Sequence, residues 1–270
     1  LAYIWGKNER LNKETKQKPK TMLKKIGKIF TIILIILAVL FATVYLFQNE
    51  KLPIGNNPEK ADHLANKMLT ALNKPAWDST HLATWTFAGR HKYVWHKKYE
   101  MVSIKWADNL VYLNLKEWKK GKAFVNNKEI KDKDLDVLRG KAYAMFCNDS
   151  FWFIAPYKVF DDGVSRKIVK TEDQNDALLV TYSSGGVTPG DSYLWVLDEN
   201  NVPLYFKMWV KILPIGGIKG TWENWLTTKT GAKIASTHKI GPINSAITDI
   251  QTGHVLSDLN LKDSYFELIK

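Results

Sequence analysis

Leu204-Tyr205-Phe206-Lys207-Met208-Trp209-Val210-Lys211-Ile212 divides its side chains sharply by parity. Leu204, Phe206, Met208, Val210 and Ile212 fall on one face, and Tyr205, Lys207, Trp209 and Lys211 on the other. A period of two is that of a pleated strand, with one face on a core and the other on water. The same alternation recurs upstream. Trp85 and Phe87 alternate with threonines, and Tyr93 and Trp95 with Lys92 and Val94. Val102, Ile104 and Trp106 precede an Ala107-Asp108-Asn109 turn, and Val111, Leu113 and Leu115 follow it. Further strands are expected at Leu178–Tyr182, 192–197, 221–228 after the apolar loop Leu213–Ile218, and 232–238.

Helical spacing enters at two places. Asn57 precedes Pro58 and Glu59, an N-cap, first-position proline and first-turn acid. Ala61, Leu64, Ala65, Met68, Leu69 and Leu72 then recur with helical period, predicting a helix over 58–73. Residues 132–160 interrupt the strands, and 132–138 and 142–154 read as helical or irregular. Strand runs with helices at two places and no βαβ rhythm give an α+β class. The expected architecture is a strongly curved antiparallel sheet, an incomplete barrel, covered by helices.

Ahead of this domain lies an uninterrupted apolar run, Ile29 to Phe47. As a helix it reaches about 28 Å, the thickness of a bilayer's hydrocarbon. Residues 1–50 hold nine Lys/Arg against three Asp/Glu, and basic residues before such a run are retained in the cytoplasm. The organisation expected is a basic cytoplasmic tail (1–28), a single-pass anchor (29–47), a linker (48–57) and an exported domain (58–270). The tail to residue 21 lacks apolar periodicity and reads as disordered. Met22-Leu23-Lys24-Lys25 resembles a signal n-region, but small residues at a cleavage site are hard to find, which favours an uncleaved anchor. The large C-terminal domain is therefore expected to be exported, on the extracytoplasmic side.

The net charge of +12 divides equally between the first 50 residues and the rest, where it is diffuse, so nucleic acid is not expected as a partner. The lone Cys147 excludes an intrachain disulfide and reads as a small buried hydrophobe. No metal or cofactor is expected. His91 and His96, five apart on one strand, point to opposite faces. There is no G-x-S-x-G, and Asp161-Asp162-Gly163 reads as a turn. Ser183-Ser184-Gly185-Gly186 lacks the lysine and helix of a phosphate loop. Enzymatic activity is therefore not expected; a hydrolase would require His, Asp and Ser side chains converging in a cleft, with His238 and Asp161 as its best candidates.

The segments Phe151–Asp161 and Thr188–Trp195 resemble an uncharacterised family of exported bacterial domains related to the outer-membrane lipoprotein-carrier superfamily (the LolA/LolB type). Thr221-Trp222-Glu223-Asn224-Trp225, Gly231–Ile234 and Thr237-His238 are similar to the late strand pair of that superfamily. The resemblance covers about 58–250. It implies an incomplete barrel plugged by helices, with acyl chains held inside the characterised members, and no catalytic residues. Keeping an anchor departs from soluble carriers and argues against shuttling between membranes.

Ten of the eleven tryptophans follow residue 50. Trp85, Phe87, Trp106, Tyr193, Trp195, Phe206 and Met208 are expected on the concave face, with Trp152 and Phe153 in the cover. They form either a packed core or the lining of a cavity for a lipid or lipidated ligand. The loop carrying Leu213, Ile215 and Ile218 either tucks under a neighbour or forms an apolar mouth touching membrane or partner. Two functions stay open: a membrane-anchored lipid- or lipoprotein-binding module, and a solid-cored structural or signalling interaction domain.

Overall fold

The computed structural model describes residues 2–185 and 188–269, with side chains from Leu23 onward, as two units, residues 1–49 and 50–270. The first unit is one helix, α1 (Ala2–Gln48). Its stretch Leu23–Gln48 is apolar and long enough to cross a membrane. Residues 2–21, expected to be disordered, continue the helix. Their Lys, Glu, Gln and Leu are good helix formers, and extending an existing helix avoids the cost of nucleation.

The second unit is built on α2 (Pro58–Ala71), α3 (Lys74–Ser79), α4 (Asp132–Ile154) and one large antiparallel sheet. The first strands are β1 (Leu82–Phe87), β2 (His91–His96), β3 (Met101–Trp106), β4 (Asn109–Asn114), β5 (Lys122–Val125) and β6 (Lys128–Ile130). After α4 come β7 (Val164–Lys170), β8 (Asp176–Tyr182), β9 (Asp191–Leu197), β10 (Pro203–Trp209), β11 (Ile218–Thr221), β12 (Glu223–Thr227), β13 (Lys233–Ile240) and β14 (Ile243–Gly253). The order is β6-β5-β4-β3-β2-β1-β14-β13-β11-β10-β9-β8-β7, with β12 paired to β13. The sheet is curved and not closed, leaving β6 and β7 as its edges. This is the expected α+β class.

Local chemistry explains the helices. Asn57 accepts from the Lys60 N–H at 3.0 Å, and Pro58 fills the first position of α2. Ala61, Ala65, Met68 and Leu69 are buried while His63, Asn66 and Lys67 face water, so one stripe packs on the sheet. In 132–154 the two expected segments are one 23-residue helix, because Gly140 interrupts the periodicity but not the backbone.

β14 carries the two halves of the sheet, pairing β1 on one side and β13 on the other. It breaks register opposite Thr84–Thr86, and Asp249 takes a positive φ of 53° there. That bulge shifts the apolar positions from a strict period of two, which hides the strand in the sequence. The strand expected over 204–212 ends at Trp209, and its oily row is correspondingly shorter. Phe206 and Met208 are buried, but Leu204 is 52% exposed beside a register shift and Ile212 is 73% exposed in the following loop.

Residues 48–57, expected to be a linker, are hydrogen-bonded to the sheet from Glu50 onward. The Glu50 N–H donates to the Gly216 carbonyl at 3.0 Å, and the Trp209 indole N–H donates to the Glu50 carbonyl at 2.8 Å. The Glu50 carboxylate pairs with Lys207 at 2.7 Å. Six residues on, Asn56 and Ile168 exchange both backbone bonds at 2.7 and 2.9 Å on edge strand β7. This strap thus runs from β10 to β7. It borders a small outer-face cluster of Ala177, Leu179 and Leu194 with Val169, Val196 and Trp209. On the other half, Phe266 and Ile269 of the C-terminal 3-10 turn cover Val94, Met101 and Tyr112.

A Cβ on Gly55 would sit 2.6 Å from the Lys167 Cβ and 3.1 Å from the Ile168 carbonyl. Gly55→Val is expected to lift the strap and cost about 1–3 kcal/mol, the usual scale of overpacking, read by chemical denaturation. An unchanged midpoint would show that the strap does not contribute to stability.

Candidate functional site

The concave face is where sheet and cover meet. Trp85 projects from the middle of β1 and lies between two parallel rings. The Tyr93 ring on β2 and the Phe153 ring on α4 each stack with their centroids 4.6 Å from it. Trp95 and Phe146 approach edge-on at 5.4 Å, and Trp77 of α3 stacks on Tyr157 at 5.3 Å. A second group fills the other half. Trp195 stacks on Trp222 at 5.2 Å, and Phe206 packs 5.6 Å from Trp152 and 5.8 Å from Trp222. α4 feeds both groups, Phe146 and Phe153 entering the first, Phe151 and Trp152 the second.

Of the nine aromatic and methionine positions singled out in the sequence, Trp85, Trp106, Phe153, Tyr193, Trp195, Phe206 and Met208 are buried in one continuous core. Phe87 and Trp152 pack against it half-buried. Trp85 and Trp195 have 0% exposure. The sheet and cover are in contact at these residues, with rings filling the interface.

The polarity of this interior is distinctive. The indole N–H groups of Trp85, Trp95, Trp195 and Trp222 are buried with no hydrogen-bond acceptor among the described residues. An unmade bond to a buried donor costs about 1–3 kcal/mol.

Sequence reasoning did not single out Asp149. It lies on α4, is buried, and accepts from the Tyr93 hydroxyl at 2.6 Å and the Asn148 side-chain amide at 2.8 Å. His91 Nδ1 is 2.7 Å from the same Asp149 oxygen as Tyr93. Burial, followed by the charge of Asp149, pushes the Tyr93 hydroxyl far above the ordinary tyrosine range. An acid flanked by Asn148 and Ser150 on a helix whose apolar residues lack a clean stripe gave no signal in the sequence. The group ties the cover to β2. Its carboxylate–imidazole pair resembles half of an acid–base triad, but among the described residues no Ser, Thr or Cys side chain is hydrogen-bonded to His91.

His96 lies on the opposite face of β2 from His91, buried against Tyr99 and Phe266, as the five-residue spacing requires. His238, expected to end a strand, is inside β13 and buried beneath Trp222 (4.5 Å) and Trp152 (5.6 Å), with Nδ1 3.2 Å from the Thr221 carbonyl. Asp161 is in the turn after Val159 and pairs with Lys158. Ser183 and Ser184 donate to the Gly163 and Asp162 carbonyls, closing the neighbouring hairpin end, while Gly186 and Val187 are outside the described residues. Cys147 is half-buried, and burial raises its thiol pKa. In the apolar loop, Ile215 and Ile218 are half-buried, Ile218 belongs to β11, and Leu213 is exposed.

No family model matches the chain, and no curated protein matches it. Among solved structures, a DUF1329 family protein from Desulfovibrio piger is similar at 12% identity and a TM-score of 0.42, over 80% of this chain and 100% of that one.

Asp149→Ala is expected to strand the Tyr93 hydroxyl and lower stability by about 1–3 kcal/mol in denaturant titration. Adding Tyr93→Phe should recover part of that loss; full additivity would show that the pair is not coupled. Burial holds His238 down to about 4 from 6.5, against weaker opposite pulls from the Thr221 and Trp152 backbone and Glu223. Between those values the unfolded chain binds the extra proton, so stability should fall as pH drops from 6.5 towards about 4. A loss of order 3 kcal/mol is expected across that window, and His238→Gln should flatten the profile.

Proposed function

We propose that this chain is a membrane-anchored, extracytoplasmic binding module that takes a lipid or lipidated ligand between its aromatic concave sheet and α4. The α1 segment Leu23–Gln48 serves as a single-pass anchor, with the domain on the periplasmic side of a bacterial inner membrane. The observation that carries the reading is the set of four buried indole donors without acceptors, at Trp85, Trp95, Trp195 and Trp222. An acyl ester supplies carbonyl oxygens for such donors and methylenes for the surrounding rings, each methylene contributing about 0.8 kcal/mol when buried.

Binding on this view requires α4 to move away from the sheet, since rings occupy the interface in the closed form. Opening breaks the Trp85–Phe153 stack and the Asp149 contacts to Tyr93 and His91. The ligand replaces the ring contacts, and water or ligand oxygens satisfy the polar groups.

The experiment is native mass spectrometry and lipid extraction of the full chain purified in mild detergent, beside a Trp195→Ala/Trp222→Ala variant. Co-purifying lipid that disappears in the variant is the expected result. Absence of bound lipid, with no change of melting temperature on adding phospholipid or lipopeptide, would favour a second reading. That reading is a structural interaction domain with a solid core, and the complete burial of Trp85 and Trp195 is the observation on its side.

A further inference from the structure

The outer face of the β7–β10 half has a chemistry of its own, separate from the concave core. Cross-strand pairing sets Lys167, Leu179, Leu194, Lys207 and Lys219 in one row across β7, β8, β9, β10 and β11. Laterally paired residues share a face, so the row presents lysines at its flanks and leucines in its middle. The strap crosses this face. Beneath it is a groove of about 340 Å3 lined by Leu52, Ile54, Ser165, Lys167, Leu179 and Thr181, among others.

Two features of this surface call for a partner. Ile54 is 97% exposed and Leu52 about half, while the adjoining loop exposes Ile212. The cations beside them, Lys51, Lys167, Lys211 and Lys219, are also exposed. The carboxylates nearby are already engaged. Glu50 is neutralised by Lys207, and Asp191 is buried, accepting from the Lys211 N–H at 2.9 Å and the Thr188 hydroxyl at 2.6 Å. Apolar side chains set among lysines that form no ion pair among the described residues, Lys219 lying over the Tyr205 ring, make a surface suited to anionic phospholipid headgroups over a hydrocarbon boundary.

Chain continuity identifies the occupant. The apolar helix ends at Gln48, and the strap is fixed to the sheet from Glu50. Two residues of extended backbone span at most about 7 Å. A chain leaving a bilayer at Gln48 therefore keeps Glu50, where the strap begins, close to the bilayer surface.

We propose that the strap and the outer face of β7–β10 form a docking surface for anionic phospholipid headgroups, with Ile54, Leu52 and Ile212 entering the interface and Lys167 and Lys219 contacting phosphates. The proposal rests on the anchored reading of α1 but not on a ligand inside the half-barrel. Docking would hold the concave face at a fixed orientation to the membrane that the chain is anchored in.

The test uses the full chain with Cys147→Ser, reconstituted in phosphatidylcholine–phosphatidylglycerol vesicles containing brominated lipid. An environment-sensitive fluorophore is placed at Ile54→Cys or, as control, at Asn200→Cys. Asn200 is in the turn at the far end of β10, roughly 20 Å from Trp209. Quenching at 54 and none at 200 is expected. Each lysine removed should weaken docking about fivefold (about 1 kcal/mol), so Lys167→Glu with Lys219→Glu should bring the signal at 54 down towards the control. Equal, water-like signals at both positions in vesicles that retain the chain would overturn the proposal, as would quenching unaffected by the lysine changes or by omitting phosphatidylglycerol. A chain that fails to float with vesicles overturns both this docking and the anchor. Loss of co-purifying lipid with quenching at 54 intact removes only the interior ligand.

Discussion

The stack of Tyr93, Trp85 and Phe153 is the contact on which the rest of this domain depends. It joins two sheet strands to the cover helix through flat faces held 4.6 Å apart. A curved open sheet has a concave face to fill, and the 23-residue α4 fills it together with α2 and α3. Leucine-sized side chains would leave gaps across that distance, whereas rings bury large areas with few rotatable bonds. The aromatic content is thus a geometric necessity of the curvature. Its cost is polar: an indole brings an N–H wherever it goes, and four of them end in the interior without acceptors among the described residues.

That tension between shape and polarity connects architecture to function. A helix held only by apolar contacts would slide, and the Asp149–Tyr93–His91 group fixes its register against β2. The second aromatic group, around Trp195 and Trp222, has His238 in place of such an acid. The first group is secured by a buried carboxylate, and the second by stacked rings with the His238 imidazole among them.

Much of the architecture was legible because alternation is a strong local signal. Val102, Ile104 and Trp106, or Phe206 and Met208, announce a half-buried strand without reference to anything distant. The cap at Asn57 was equally local. What escaped depends on long-range partners. β14 lost its period at the Asp249 bulge, and β7 reads as polar because Lys167 lies on the outer face while Arg166, on the side of Ile168, is paired with Asp62 of α2. β5 and β6 are too short for a period to emerge. The strap looked like a loop since Pro53, Gly55 and two asparagines are loop residues; only the fold shows that Gly55 is there for close approach to Lys167. For the candidate site, the rings were visible in the sequence, while Asp149 was not, because its partners lie 56 and 58 residues away.

An open sheet of this length has two raw borders, and each is finished differently. β6 is three residues long and carries Lys128 and Glu129, too brief and too charged to template a neighbour. β7 is longer, but Asn56 already occupies the backbone groups of Ile168, and the flanking Arg166 and Lys170 are engaged with Asp62 and Asp176. The strap consequently acts as a selvedge at the middle of β7. A second copy approaching along β7 would find the middle of that hem already stitched.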